Sequence, residues 1–199
     1  MDKPLAENRL FSFILVVSVL LNIGLAYKFH QVQRSLLDLK GLGFHAYVLG
    51  AAVNGIHATD LDGKATTITF AKNDPPAILY VFRPGCGWCA KNLPNLKAMA
   101  ASAPARQFRL IGISLDDNGL KQYVDSQHFT FPVYRDVAPD ERVRLALGAT
   151  PQTLMIANGA VMRDWEGAYT PEIQKQVEST LGIKLPGIGV DVNLPVKQP

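Results

Sequence analysis

Two nearly continuous apolar runs in the middle of the chain indicate a sheet whose central strands are buried. Ala77 to Phe82 reads AILYVF, and residues 108–115 read FRLIGISL. Runs of this length without polar alternation are typical of strands covered on both faces. A stretch with helical character follows each run. The pattern therefore predicts an α/β fold with a central sheet and helices on both of its faces.

Two glycine turns add hairpins to that sheet. Asp62-Gly63 lies between strand-like flanks near the start of the domain, and Asn158-Gly159 lies between two strand-like segments near its end. Both dipeptides are typical of tight hairpin turns. The predicted order is a hairpin, three strand and helix pairs, a second hairpin and a last helix. The second hairpin makes the predicted sheet mixed rather than wholly parallel.

The N-terminal part of the chain holds an uncharged run, residues 10–27. As a helix it would extend about 27 Å, close to the roughly 30 Å thickness of a bilayer core. Gly24-Leu25-Ala26 offers the small-residue pattern of a signal-peptide cleavage site. We favour an uncleaved transmembrane signal-anchor, because the run is longer than the apolar region of a typical signal peptide. Basic residues flank the run on both sides, so charge does not decide its orientation.

The remaining segments follow from these boundaries. Phe29, Val32, Leu36 and Leu39 have the spacing of two heptads, which are too few for a coiled coil and favour a helical spacer. The predicted division is a short N-terminal segment 1–9, the anchor 10–27, a juxtamembrane spacer 28–46, a globular domain 47–184 and an irregular tail 185–199.

Length and charge narrow the classes of function. The chain has 199 residues, which suits one folded domain with attachments. Its formal net charge is only +3, and the basic residues form no cluster. A nucleic-acid partner is therefore not expected, since it would need a basic patch or stripe.

Cys86 and Cys89 are the two cysteines of the chain. A disulfide between them would close a minimal loop and stabilise the fold less than a long-range bridge. A zinc site needs about four ligands, and the four histidines have no ligand spacing. Haem attachment requires histidine directly after the second cysteine, where Ala90 stands. We therefore expect no metal and no cofactor, and interpret the pair as a redox couple.

The position of the pair favours this interpretation. The cysteines follow a buried strand and begin a helix, whose free N–H groups and dipole favour a thiolate. Cys86 is therefore the predicted nucleophile, and Cys89, one turn into the helix, the predicted resolving cysteine. Trp88 covers the sulfurs with an apolar face or simply packs, both of which are compatible with a redox pair, and it is a predicted substrate-binding residue. Arg83 either adds positive potential or is merely solvated.

The chain resembles the TlpA/ResA-like thiol–disulfide oxidoreductases, a thioredoxin-fold group related to the AhpC/TSA proteins, over residues 47–184. The features that match are LDGK in the first hairpin, CxxC at a helix start, Pro94 in that helix, ISLDD after the next strand and GATPQTLMIANGAV. The resemblance implies a thioredoxin-like fold. It also implies that Pro151 is a cis-proline facing the disulfide, which leaves the Thr150 backbone free to pair with a substrate peptide.

The resemblance further implies a function and a place in the cell. We expect a single-pass protein of the bacterial inner membrane whose redox domain lies in the periplasm. Its expected activity is thiol–disulfide exchange with protein substrates, in the direction of reduction, supplied by a membrane electron donor. Copper delivery is an alternative, but thioredoxin folds of that kind generally use CxxxC. A peroxidase is a further alternative, although Arg83 stands where peroxidases of this superfamily carry threonine.

Two positions depart from the pattern of the relatives. TlpA/ResA-like members commonly carry glutamate three residues after the second cysteine, where this chain has Asn92. Thioredoxins carry a buried aspartate six residues before the first cysteine, where this chain has Tyr80. We expect exchange chemistry with a slower turnover or a shifted pH profile, because an amide cannot exchange a proton near neutral pH. Asp116 and Asp117 either serve the site or, as we favour, cap the following helix.

Overall fold

The computed structural model describes residue 15, residues 18–28 and residues 49–188 of the chain. The chain divides into two units, Met1–Phe44 and His45–Pro199. In the first unit residues 18–28 are helical, and the side-chain amide of Asn22 donates to the carbonyl of Ser18 at 2.8 Å. No helix within the described residues is long and apolar enough to cross a bilayer. The predicted anchor lies partly, and the predicted heptad segment wholly, outside the described residues.

The second unit contains the elements that the sequence pattern predicts, in the predicted order. Its strands are β1 Gly55–Asp60, β2 Ala65–Thr69, β3 Ala77–Phe82, β4 Arg109–Ser114, β5 Val133–Arg135, β6 Gln152–Ala157 and β7 Ala160–Glu166. Its helices are α1 Gly87–Arg106, α2 Leu120–Gln127, α3 Pro139–Arg144 and α4 Pro171–Leu181.

The seven strands form one mixed sheet in the order β2-β1-β5-β4-β3-β6-β7. Strands β3, β4 and β5 are parallel, whereas β6 is antiparallel to β3 and β7 antiparallel to β6. The predicted α/β class with a mixed sheet is therefore confirmed. Strand β3 lies between β4 and β6. Its carboxyl end is therefore flanked by a strand on each side and is not at the side of the sheet.

Strand β3 is buried on both faces, as its apolar run predicts. Because successive side chains of a strand point to opposite faces, its residues divide between two clusters. Ile78, Tyr80 and Phe82 belong to the cluster that includes Cys89 and Met99 of α1. Ala77, Leu79 and Val81 belong to the cluster on the other face. Tyr80 therefore lies on the same face of the sheet as the helix that begins at the cysteines.

The two predicted hairpins are present. Strands β1 and β2 pair around Asp62-Gly63, and Asp60 Oδ1 accepts the backbone N–H groups of Asp62 and Lys64, both at 2.9 Å. At the second hairpin Asn158 and Gly159 have φ values of 55° and 71°. Left-handed conformations at both central residues match the right-handed twist of the flanking strands, which explains why this dipeptide selects a tight turn.

The capping role favoured for Asp116 and Asp117 is wrong. The residue before α2 is Gly119, in a left-handed conformation with φ 67°, and no side chain caps the helix. Asp117 instead pairs with Arg135, with 2.5 Å between Oδ2 and Nη1. The N-cap position falls on Gly119, which has no side chain, and Asp116 Oδ1 accepts the N–H of Asn118 at 3.0 Å.

The segment after α4 is bonded back onto the domain. Leu185 is buried, and its N–H donates to Glu178 Oε1 at 2.8 Å while its carbonyl accepts from Gln174 Nε2 at 2.8 Å. Two residues later, the N–H of Gly187 donates to Asn95 Oδ1 of α1 at 2.8 Å. The described residues of the predicted tail, 185–188, contain neither helix nor strand and lie against this part of the fold.

Candidate active site

Cys86 and Cys89 form a disulfide at the start of α1, directly beyond the carboxyl end of β3. A turn from Arg83 brings the chain out of the sheet, and the N–H of Cys86 donates to the Arg83 carbonyl at 3.1 Å. Cys86 is the N-cap residue of the helix, and its sulfur accepts the N–H of Cys89 at 3.1 Å. A cysteine sulfur therefore takes the place that a serine or aspartate oxygen usually occupies at a helix start.

The two sulfurs have different surroundings. Cys86 is partly exposed, whereas Cys89 is only 2% exposed and belongs to the buried cluster beneath α1. The first turn of α1 carries no acidic residue, so no carboxylate opposes negative charge at Cys86. The helix dipole and the N–H of Cys89 would both stabilise a Cys86 thiolate. Access and electrostatics thus agree with a nucleophilic Cys86 and a resolving Cys89, which remain predicted roles.

The peptide bond between Thr150 and Pro151 is cis, as the resemblance implies. It lies at the start of β6, beside β3, and the Cys86 sulfur is 3.5 Å from the Thr150 carbonyl oxygen. Pro151 is buried, and its carbonyl accepts the N–H of Gly167 at 2.8 Å. Two pairs of predicted site residues, more than sixty positions apart in the chain, are therefore brought together: Cys86 with Cys89, and Thr150 with Pro151.

Trp88 lies on the surface beside the disulfide. Trp88 is 57% exposed, so it does not belong to the buried core. Lys91 Nζ lies 4.5 Å from the centroid of the indole ring, at cation–π distance. Arg83, before the first cysteine, is exposed. The segment that carries the cysteines thus also presents an exposed aromatic ring and two cationic residues.

Beneath the disulfide, the two positions that depart from the relatives are joined to each other. Asn92 is fully buried, and its Nδ2 donates to the Tyr80 hydroxyl oxygen at 3.4 Å. Its Oδ1 accepts the backbone N–H of Tyr169 at 3.2 Å and Nδ2 of Asn95 at 2.9 Å. Burial raises the pKa of Tyr80 and of Tyr169. The parts that Asn95 and Tyr169 play in this network were not predicted, since no motif in their neighbourhood marks them.

Within the described residues no group of three or more histidine, cysteine, aspartate or glutamate side chains is placed to hold a metal ion. His57, on β1, is bonded through Nδ1 to Glu141 Oε1 of α3 at 2.8 Å. Glu141 belongs to the buried residues, and its second oxygen accepts the His57 N–H at 2.6 Å. This pair holds α3 against β1.

A family model described as AhpC/TSA matches residues 49–169, more than half of the chain and the whole of the site described above. The chain belongs to the AhpC/TSA family. One curated relative, prostamide/prostaglandin F synthase from Aquarana catesbeiana, is 37% identical over 71 residues. This stretch covers 34% of each protein, so the chain spans about a third of the length of that relative.

Solved structures place the AhpC/TSA domain of this chain in the thioredoxin-like fold. A candidate thiol:disulfide interchange protein DsbE from Chlorobium tepidum is similar with a TM-score of 0.56 and 18% identity, over 67% of this chain and 96% of that one. The thioredoxin domain of a thiol-disulfide oxidoreductase from Bacteroides vulgatus is similar with a TM-score of 0.54 and 16% identity, over 67% and 97%. At these identities the likeness shows the fold. The resemblance to thioredoxin-fold redoxins is therefore confirmed.

Proposed function

We propose that this protein is a membrane-tethered thiol–disulfide oxidoreductase that reduces disulfides in extracytoplasmic proteins. The observation that carries the proposal is the Cys86–Cys89 disulfide at a helix N-terminus, with the Cys86 sulfur 3.5 Å from the carbonyl of the cis Thr150-Pro151 bond. Membership of the AhpC/TSA family and the fold shared with thiol:disulfide interchange proteins support it.

The reaction begins from the dithiol. Cys86, as the thiolate, attacks one sulfur of a client disulfide. A Cys86–client disulfide forms, and the other client cysteine leaves as a thiolate that takes up a proton. Cys89 then loses its proton and attacks the Cys86 sulfur, which releases the second client cysteine. Two electrons pass to the client, and the protein is left with the Cys86–Cys89 disulfide. A dithiol electron donor in the membrane regenerates the reduced form.

The surroundings of Cys86 support a peptide as the substrate. A polypeptide placed beside Thr150 can pair with the backbone next to the cis-proline, at the start of β6. Trp88 offers an exposed ring that can contact apolar client side chains. Thr150, Pro151 and Trp88 are therefore the proposed substrate-binding residues.

The tether and the compartment belong to the same proposal. The uncharged run of residues 10–27 supports a signal-anchor in the bacterial inner membrane. The resemblance to tethered reductases supports a periplasmic domain and the reducing direction. Protease treatment of spheroplasts checks this part, with digestion of the redox domain in intact spheroplasts as the expected result. Protection until the membrane is lysed would contradict a periplasmic domain.

Trapping of mixed disulfides tests the activity. In full-length Cys89→Ser the first attack can occur but resolution cannot, so we expect client proteins bound through Cys86, identified by mass spectrometry after release with reductant. The double variant Cys86→Ser/Cys89→Ser is the matched control. Wild type should also catalyse insulin reduction by dithiothreitol. Absence of trapped proteins together with absence of insulin reduction would overturn the proposal, and consumption of peroxide or stoichiometric copper binding instead would identify the alternative.

A further inference from the structure

The buried hydrogen bonds beneath the disulfide have a defined direction. Backbone N–H groups can only donate, and one of them, from Tyr169, is bound by Asn92 Oδ1 while another, from Gly187, is bound by Asn95 Oδ1. Both side-chain oxygens are therefore acceptors, and the Nδ2 groups point the other way. Asn95 Nδ2 donates to Asn92, and Asn92 Nδ2 donates to the oxygen of Tyr80. The orientation of each amide follows from its contacts with the backbone.

This direction leaves the hydroxyl hydrogen of Tyr80 available. The Tyr80 oxygen is an acceptor in its bond with Asn92, and the described residues show no hydrogen bond that the Tyr80 hydroxyl donates. Tyr80 is only 1% exposed. A buried donor without an acceptor is unfavourable and rare in folded proteins. An acceptor that forms in another state of the site would remove this cost.

Cys89 is the group that changes between states. It lies three residues before Asn92 on α1, hence on the same face of the helix, and belongs with Tyr80 to one buried cluster. In the disulfide its sulfur is a weak acceptor, whereas a thiolate is a strong one. Met99, the methionine of the same cluster that lies fully buried, already accepts the hydroxyl of Tyr169 at 3.4 Å.

We propose that the Tyr80 hydroxyl donates a hydrogen bond to the Cys89 sulfur in the reduced protein, and that Asn92 holds the hydroxyl in position for it. This role rests on the proposed function, in which Cys89 must become a thiolate to resolve the mixed disulfide. Tyr80 and Asn92 thereby provide, without a carboxylate, the stabilisation that a buried thiolate needs.

The chemistry of the resolving step balances with a neutral tyrosine. Cys89 gives its proton to solvent, the Cys89–Cys86 bond forms, and the Cys86–client bond breaks. The client sulfur leaves with the electron pair and takes up one proton. Because burial holds the pKa of Tyr80 above its ordinary value, the phenol neither gains nor loses a proton. Besides Cys89 itself, the ionisable groups that act on Tyr80 are the phenols of Tyr169 and Tyr123, so the donor side of this hydrogen bond does not vary with pH near neutrality.

The thiol pKa of Cys89 tests the proposal directly. In full-length Cys86→Ser, Cys89 is the sole thiol of the chain, and its ionisation can be followed by thiolate absorbance and by the rate of alkylation against pH. Adding Tyr80→Phe should raise the pKa of Cys89 by about one unit, a tenfold loss of thiolate at a given pH. Tyr169→Phe is the matched control, because it removes a fully buried hydroxyl but keeps the N–H that binds Asn92. It should leave the pKa of Cys89 unchanged.

Asn92→Asp provides a second test, because the aspartate side chain has nearly the same shape as the asparagine that it replaces. It places a carboxyl group in the network, so the titration of Cys89 should gain a second inflection and its pKa should rise. If Tyr80→Phe leaves the titration of Cys89 unchanged, or if Tyr169→Phe changes it as much as Tyr80→Phe, the proposal is overturned. These readouts need no client protein, so they decide the role of Tyr80 even where insulin reduction and trapping fail.

Discussion

The side-chain oxygen of Asn95 accepts the backbone N–H of Gly187 at 2.8 Å, across 92 positions of the chain. This bond ties the segment after the last helix to the helix that carries the cysteines. Asn95 also donates to Asn92, at the centre of the network under Cys89. The end of the described chain is thus part of the support of the candidate active site.

Asn95→Ala tests the importance of this link. The substitution removes one buried and one partly buried hydrogen bond and leaves the Gly187 N–H without its acceptor, so the free energy of unfolding should fall by about 2 kcal/mol. Urea denaturation of the oxidised protein measures this value. The control is Asn118→Ala, at an exposed asparagine, which should change it by less than about 0.5 kcal/mol. Equal effects of the two substitutions would show that the link contributes little.

Glu178 makes the attachment of the same segment dependent on pH. The N–H of Leu185, followed by Gln174, lowers the pKa of the Glu178 carboxyl from its ordinary value of 4.5. A carboxyl with a lowered folded-state pKa contributes stability that is present above the ordinary value and is lost as the pH falls through the folded-state pKa. Wild type should therefore be more stable than Glu178→Gln at pH 6, and the difference should vanish in acid. Urea denaturation at a series of pH values measures it.

The control for this pH series is Asp125→Asn, at an exposed carboxylate on α2. The free energy of unfolding of this variant should change with pH in the same way as that of wild type. A Glu178→Gln protein with the same pH dependence as wild type would exclude the proposed contribution of Leu185 to the pKa.

Gly112 on β4 has no room for a side chain. A Cβ atom there would lie 3.0 Å from Val133 Cγ2 and 3.2 Å from the ring of Phe131. Gly112→Ala should therefore lower the free energy of unfolding by about 1–3 kcal/mol through overpacking. Gly148→Ala is the control, because an added Cβ there meets nothing within 4 Å. Thermal unfolding of both variants distinguishes them, and equal midpoints would contradict the expectation.

Trp88 should contribute to the binding of protein clients. Trp88→Ala removes a ring that is 57% exposed, so we expect KM for insulin to rise by roughly tenfold with little change in kcat, as for loss of an aromatic binding contact. The rate with a small aromatic disulfide should change by less than about twofold. Such a substrate is small enough to react at Cys86 without contacting Trp88. Val143→Ala, at a residue 82% exposed on α3, is the control. An equal loss with both substrates would indicate damage to the cysteines rather than to client binding.

Local patterns in the sequence sufficed for the element order, the fold class and the redox pair. The turn at Asn158-Gly159 depends on the conformations that those two residues favour, and the burial of β3 depends on its own apolar run. The start of α1 at the cysteines follows from the same local information. The expectation that an aspartate before a helix caps it failed for Asp116 and Asp117. The N-cap position of α2 falls on Gly119, which has a left-handed conformation and no side chain.

The sequence by itself therefore determined that a mixed sheet would carry two cysteines at a helix start and a Thr-Pro pair elsewhere in the chain. Only the tertiary structure decided that Tyr80 and Asn92 meet, because they lie on different elements and their contact depends on how α1 packs on β3. It likewise decided that Gly187 reaches Asn95. A hydrogen bond between residues far apart in the chain produces no recognisable sequence pattern, because its geometry is set by the packing of the elements and not by the neighbouring residues.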